Sequence, residues 1–192
     1  MTALIVGLVI FLGVHSVRVF ADGWRTRVRT RMGENAYKGI YSLASVAGLV
    51  LIVWGYGMAR QQPVVLWLPP LWTRHLAALL TLAAFVLLTA AYVPGNSIKA
   101  RLHHPMILGV KVWALAHLLA NGMLADVLLF GAFTAWAVLS FRAARQRDRA
   151  DHISYSVGRL APTLAAIAIA LVAWGGFAFW GHRALIGVGP FG

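Results

Sequence analysis

Six runs of mostly apolar residues, at 2–21, 40–58, 75–93, 105–120, 123–141 and 161–181, take up most of this 192-residue chain. Each approaches the roughly 20 residues that a helix needs to cross a hydrocarbon core about 30 Å thick. Lipid offers no partner to backbone N–H and C=O groups, so runs of this length must satisfy themselves as helices. None shows the period-two alternation of a membrane barrel strand. The expected fold is therefore all-α: a polytopic bundle of about six transmembrane helices, making a single domain over residues 1–192. Composition leaves no soluble alternative, because charged residues make up 11% of the chain against roughly a quarter in soluble domains, and the mean hydropathy is +0.76.

The net charge of +12 would point to nucleic acid in a soluble protein; here its placement is topological, and no nucleic-acid partner is expected. Arg25, Arg27, Arg29, Arg31 and Lys38 fill the first connection, Lys99 and Arg101 the third, and Arg142, Arg145, Arg147, Arg149 and Arg159 the fifth, all on one side. The other side holds only Arg60, Arg74 and Arg183. The positive-inside rule then puts both termini away from the cytoplasm. The first run lacks a preceding basic residue and a cleavage site, which fits an uncleaved first span. There is no cysteine, so disulfides, thiolate ligation and cysteine nucleophiles are excluded.

Trp24, Trp54, Trp67, Trp72, Trp174 and Trp180 fall near run ends and read as interfacial anchors. Pro63, Pro69 and Pro70 make the connection from Arg60 to Arg74 an extended loop lying against the outer membrane surface. Asn121-Gly122 reads as a tight turn, since both residue types tolerate positive φ. Glu34, between Arg31 and Lys38, is expected to pair with them, and Asp126 to cap the fifth span.

Two histidines interrupt apolar runs, His15 in the first and His117 in the fourth. An ionisable ring in hydrocarbon is costly, so its presence suggests a ligand, a proton relay or a hydrogen-bonded structural role. His117 shares a helix face with Trp113 at i−4 and Asn121 at i+4, a stripe suited to a flat cofactor, with Gly109, Ala114, Ala116 and Ala120 allowing close approach. The plainer reading is that the small residues pack helices and His117 bonds a carbonyl. His15, beside Ser16, is a competent metal or haem-iron ligand or a structural hydrogen-bonding group. Arg18 reads as snorkelling to the boundary, or as a partner for an acidic cofactor group. Pro105 should open the fourth span. His104 just before it is open between a solvated and a functional role, and His103 and His152 read as solvated.

In order and spacing, Gly13-Val14-His15-Ser16, Gly33-Glu34-Asn35-Ala36-Tyr37, and His104-Pro105-Met106 with Gly109, Trp113, Ala116 and His117 together resemble the NnrU family of bacterial membrane proteins, over most of the chain. That family is similar to plant zeta-carotene isomerase, a haem b membrane enzyme that turns a cis double bond of a carotene to trans without net redox change. The resemblance implies a multi-pass protein of the bacterial inner membrane that binds haem b, with His15 and His117 as the two axial iron ligands and Trp113 and Arg18 beside the cofactor. It also implies a link to nitrite and nitric oxide metabolism, with respiratory reductase subunits or a lipid-soluble polyene as partners. Ala114 stands where the plant enzyme has cysteine, so thiolate ligation cannot operate here.

The topology also sets a depth expectation. His15 lies six residues from the basic end of its run and His117 four from the opposite end of its own, which separates them by about 15 Å across the core. Depth alone would pair His117 with His75 or His182, and His15 with His104. Two other functional classes stand beside haem binding: a non-catalytic assembly or regulatory factor for nitrogen-oxide reductases, and a membrane methyltransferase, which Arg101, His104, Pro105 and Gly109 resemble in motif.

Overall fold

The computed structural model describes residues Met1–Phe191. They fold as α1 (Thr2–Phe20), α2 (Asp22–Met32), α3 (Glu34–Gln61), α4 (Trp72–Tyr92), α5 (Ser97–Leu102), α6 (Pro105–Ala120), α7 (Leu124–Ala150), α8 (Leu160–Gly176), a π-helical turn Phe177–Gly181 and α9 (His182–Ile186). Five helices are long and apolar enough to cross a membrane, the last of them continuous from Leu160 to Ile186, and α6 is a shorter apolar helix. The chain is thus an all-helical, multi-pass membrane protein whose helices follow the six apolar runs. Several overrun them: α3 begins at Glu34, not residue 40, and α7 continues to Ala150, not residue 141. The reason is that an apolar run marks only the part of a helix inside hydrocarbon, whereas Arg, Ala, Gln and Lys sustain the helix beyond it. The same propensity makes α2 helical in the arginine-rich first connection.

Packing contacts order the long helices as α3, α1, α7, α6, α4, α8. The α7 helix stands at the centre, packed against both α1 and α6, while the α1 and α6 backbones do not come together directly among the described residues. Neighbouring ring pairs show the directions. Phe11 and His15 of α1 meet Phe133 and Trp136 of α7 in that order, so these two run parallel. Trp113 and His117 of α6 meet Phe133 and Phe130, so α6 is antiparallel to α7.

The closest helix pair is α1 with α3, and glycine makes it so. A Cβ on Gly7 would lie 2.6 Å from the backbone N of Ile52, one on Gly48 2.7 Å from that of Phe11, and one on Gly55 2.3 Å from that of Leu4. Lipid gives helices no hydrophobic incentive to associate, so van der Waals contact through small residues has to supply it. Leu4, Leu8, Ile52 and Ala59 are buried in this seam and join Ala114, Ala125, Leu129 and Phe130 in one core.

The arginine-rich connections gather at one end. There Arg147 donates to the carbonyl of Arg18 (3.2 Å), and Asn96, 1% exposed, ties the α4–α5 turn by accepting from the Lys99 N–H and donating to the carbonyls of Ala90 and Val93. Glu34 pairs with Lys38 at 2.8 Å, as expected. At the other end the connection after α3 is extended and keeps most of its apolar side chains exposed. Its backbone docks on the α6–α7 turn: Leu66 N–H donates to the Gly122 carbonyl (2.8 Å) and Leu124 N–H to that of Val64 (2.8 Å). The reading of the turn is corrected. Asn121 is extended (φ −131°, ψ 139°), and glycine is required at 122 because a Cβ there would fall 2.0 Å from the Trp67 carbonyl oxygen. Trp174 is likewise no free anchor, since its indole N–H donates to Thr81 Oγ1 at 3.2 Å across the α4–α8 seam.

Gly48→Leu should therefore destabilise the bundle by about 1–3 kcal/mol, the usual cost of overpacking, seen as a lowered thermal midpoint in detergent. Gly57→Leu, on the same helix but with nothing within 4 Å of the added carbon, should leave the midpoint unchanged.

Candidate functional site

His15 and His117 stand on opposite flanks of α7 and are held in the same way. His15 Nδ1–H donates to the carbonyl of Phe11, four residues back, at 2.7 Å, and His117 Nδ1–H donates to that of Trp113, again four residues back, at 2.8 Å. A carbonyl can only accept, so each bond puts the proton on Nδ1, and in the neutral ring it leaves the Nε2 lone pair as the free acceptor. This is the backbone-locked form in which a histidine serves as a metal ligand. Asn121 Nδ2–H in turn donates to the His117 carbonyl at 2.9 Å and closes the end of α6.

The two rings are joined by an aromatic row. His15 stacks on Phe11 (centroids 4.3 Å apart), Phe11 meets Phe133 (5.9 Å), Phe133 meets Trp113 (5.5 Å), and Trp113 meets His117 (5.2 Å), which itself stacks on Phe130 (4.6 Å). Tyr41 and Trp136 complete the surroundings of His15. With His117 level with Phe130 and His15 level with Trp136, six residues of α7, about 9 Å, separate them in depth. The sequence estimate of about 15 Å is too large because it starts every helix at a membrane face. Instead α6 is short, with its far end roofed by the docked loop.

The pairings suggested by depth alone fare differently. No hydrogen bond or ring contact joins His117 to His75 or His182 among the described residues, and His182 Nδ1–H donates to the Val188 carbonyl at 2.6 Å. His104 is committed elsewhere, its Nε2–H donating to Asp148 Oδ2 at 2.8 Å. His103 is not solvated: its ring stacks on Tyr155 (3.9 Å) and its Nδ1 accepts from Arg145. His152 is exposed, as expected. The Arg18 side chain is exposed, and its residue is tied to α7 through the carbonyl. Of the two residues expected beside the cofactor, Trp113 meets the ring of a candidate ligand.

The sequence reading missed α7. Phe130, Phe133 and Trp136 recur every three residues on the face between the two histidines, a spacing visible in the sequence but unremarkable inside an apolar run. Two buried polar atoms on that helix, Trp136 Nε1 and Ser140 Oγ, have no hydrogen-bond partner among the described residues. Such orphans cost about 1–3 kcal/mol apiece, and Trp136 sits edge-on to His15.

Asp126 caps α7 as expected, its Oδ2 accepting from the Met123 N–H at 3.0 Å, and it also accepts at Oδ1 from the Tyr56 hydroxyl at 2.5 Å. The carboxylate is 3% exposed, so this bond ties α3 to α7 beneath the roof. Tyr56→Phe would orphan that oxygen and should cost about 1.5–3 kcal/mol, the range for hydrogen bonds to charged groups, read as an earlier unfolding midpoint in a detergent melt, with Tyr41→Phe as the comparison.

The donor set suits a haem iron: two locked imidazoles with free Nε2 atoms, an aromatic bed between them, and an unpartnered indole N–H beside one of them. A shared iron needs the two Nε2 atoms about 4 Å apart, so the Phe133 and Trp113 rings must turn aside and the two histidines must also close their difference in depth along α7. Among the described residues no group of three or more His, Asp or Glu side chains could hold a bare metal ion. The family model described as NnrU protein matches residues 3–190, and no curated protein and no solved structure matches the chain.

Proposed function

Because the chain belongs to the NnrU family, we propose that it is a haem b-binding protein of the bacterial inner membrane, with both termini on the periplasmic side, serving nitrite and nitric oxide metabolism. His15 and His117 would hold its iron. The observation that carries this reading is the matched Nδ1 lock on the two histidines, both turned to the aromatic face of α7. A single histidine bonded to its own helix is ordinary packing; two, on helices held apart by one aromatic wall, form a ligand pair.

Each residue then has a task. The Phe11 and Trp113 carbonyls choose the nitrogen and fix the ring planes. Phe130, Phe133 and Trp136 give a flat ligand stacking surfaces and keep water out. Trp136 Nε1 offers a hydrogen bond to an acceptor bound next to His15. A haem bound here would supply one-electron exchange or a Lewis-acidic iron able to labilise a conjugated double bond. A lipid-soluble polyene is therefore the substrate class for an isomerase version of the same site. It would reach the site from the bilayer, past helices that expose many large apolar side chains.

The test is an oxidised and reduced absorption spectrum of detergent-purified protein expressed with haem supply, alongside His15→Ala and His117→Ala. A Soret band should appear in the wild type and be lost in both variants, and added imidazole should restore it in each, separating ligand loss from misfolding. A band that survives either substitution would reassign that ligand. No band after reconstitution with haem would remove the proposal and favour the non-catalytic assembly or regulatory factor, in which the histidines are structural.

A further inference from the structure

At the arginine-rich end a cleft of about 360 Å³ opens between α7 and the segment that follows it, lined by His103, Arg145, Asp148, Arg149, His152 and Ile153. It is distinct from the histidine pair in the bundle and takes no part in the proposed haem site. Its lining is rich in donors and poor in acceptors. The one carboxylate, Asp148, is occupied: its Oδ2 accepts from His104 Nε2–H at 2.8 Å and from the Tyr155 hydroxyl at 3.1 Å, with Arg145 at 3.7 Å. Burial, reinforced by the hydrogen bond to Asp148 and its charge, pushes the Tyr155 phenol above its usual range, so it remains a donor to that carboxylate.

The donors that remain point to one ligand chemistry. Arg145 donates to His103 Nδ1, which puts the His103 proton on Nε2 as a spare donor. Arg149 makes one hydrogen bond, through Nε to the Arg145 carbonyl at 3.2 Å, and is paired with no carboxylate among the described residues. Arg145 and Arg149 sit one helical turn apart, a like-charge spacing that is unfavourable without a counter-ion. His103 (φ 67°) and His152 (φ 49°) are the two non-glycine residues with positive φ among those described. Strained backbone of this kind collects at binding sites, and here both instances border the same cleft.

We propose that this cleft is a binding site for a phosphoryl group, gripped by the Arg145 and Arg149 guanidinium forks with His103 Nε2–H and His152 alongside. A phosphoryl group presents its anionic oxygens on a tetrahedral centre, which donors from several directions can share, and the planar guanidinium matches phosphate in bidentate fashion. The group has two sources, the headgroup of an anionic lipid at the membrane boundary or free phosphate in solution.

Native mass spectrometry of the detergent-purified protein with phosphatidylglycerol and with phosphatidylcholine of the same chains tests the first source, and calorimetric titration with inorganic phosphate the second. Arg149→Gln removes the fork but only one backbone hydrogen bond, so the fold should persist, checked by an unchanged elution profile and melt. Arg27→Gln, an exposed arginine on α2 at the same end, controls for general basic attraction. We expect phosphatidylglycerol to be retained over phosphatidylcholine, displaced by inorganic phosphate, and held at least tenfold more weakly by Arg149→Gln but not by Arg27→Gln. Inorganic phosphate bound in an Arg149-dependent way without lipid retention supports the site with the free ion as its ligand. Binding of neither probe, or equal weakening by both substitutions, overturns it.

Discussion

Everything in this bundle is referenced to α7. It is the one helix in contact with both halves, α1 and α3 on one flank and α6 with α4 and α8 on the other. In lipid such a joint cannot rely on water driving apolar faces together, so it needs specific packing and hydrogen bonds. The α7 helix has both: the aromatic row of Phe130, Phe133 and Trp136 meeting rings from α1 and α6, and Asp126 at its N-terminus holding Tyr56 of α3. Because α1 runs parallel to α7 and α6 antiparallel, residues far apart in sequence are brought level along this one ruler.

The glycine seam between α1 and α3 works with that joint. Gly7, Gly48 and Gly55 bring two backbones together so closely that α1 has little freedom to roll, and His15 is on α1. On the other flank the docked loop fixes the end of α6 through Gly122, five residues past His117. Each histidine is therefore positioned twice, by its own carbonyl lock and by the clamping of its helix. Orientation at this level is what a ligand residue needs, since a metal site held loosely loses affinity steeply.

Much of this is legible in the sequence. The apolar runs locate every membrane-crossing helix, the arginine placement separates the two ends, and the i−4 companions of His117 and Asp126's role as a cap follow from helical spacing. What escapes is whatever depends on which helices are neighbours. Nothing in the spacing of α1, α6 and α7 says that the third stands between the first two, so the aromatic face of α7 goes unnoticed and the depth difference of the histidines is overstated. The His104–Asp148 bond spans 44 residues and the His103–Arg145 bond 42, which is why a linear reading leaves His104 open and takes His103 as solvated. Gly122 shows a different failure: the residue type was informative, but its reason was close approach to Trp67, not positive φ.

The separation of the α1 and α6 backbones bears directly on the proposed ligand pair. Two nitrogens bound to one iron lie about 4 Å apart, from metal–nitrogen bonds of about 2 Å each. Helices in direct contact, with axes about 8–10 Å apart, leave no width for a macrocycle between their side chains, so a ligand pair on adjoining helices would have to face along the seam and not across it. Helices that face each other over a third helix escape that limit, because the intervening surface sets the gap. Here that surface is a bed of flat rings, and the space between His15 and His117 is taken by Phe11, Phe133 and Trp113. These are side chains that can rotate about two torsions without moving backbone, unlike the glycine-clamped seam next to them. The glycine seam and the docked loop thus hold the helices that carry the histidines, and the rings between them are the adaptable part; bringing both imidazoles onto one iron also requires α1 and α6 to slide along α7 over their remaining difference in depth.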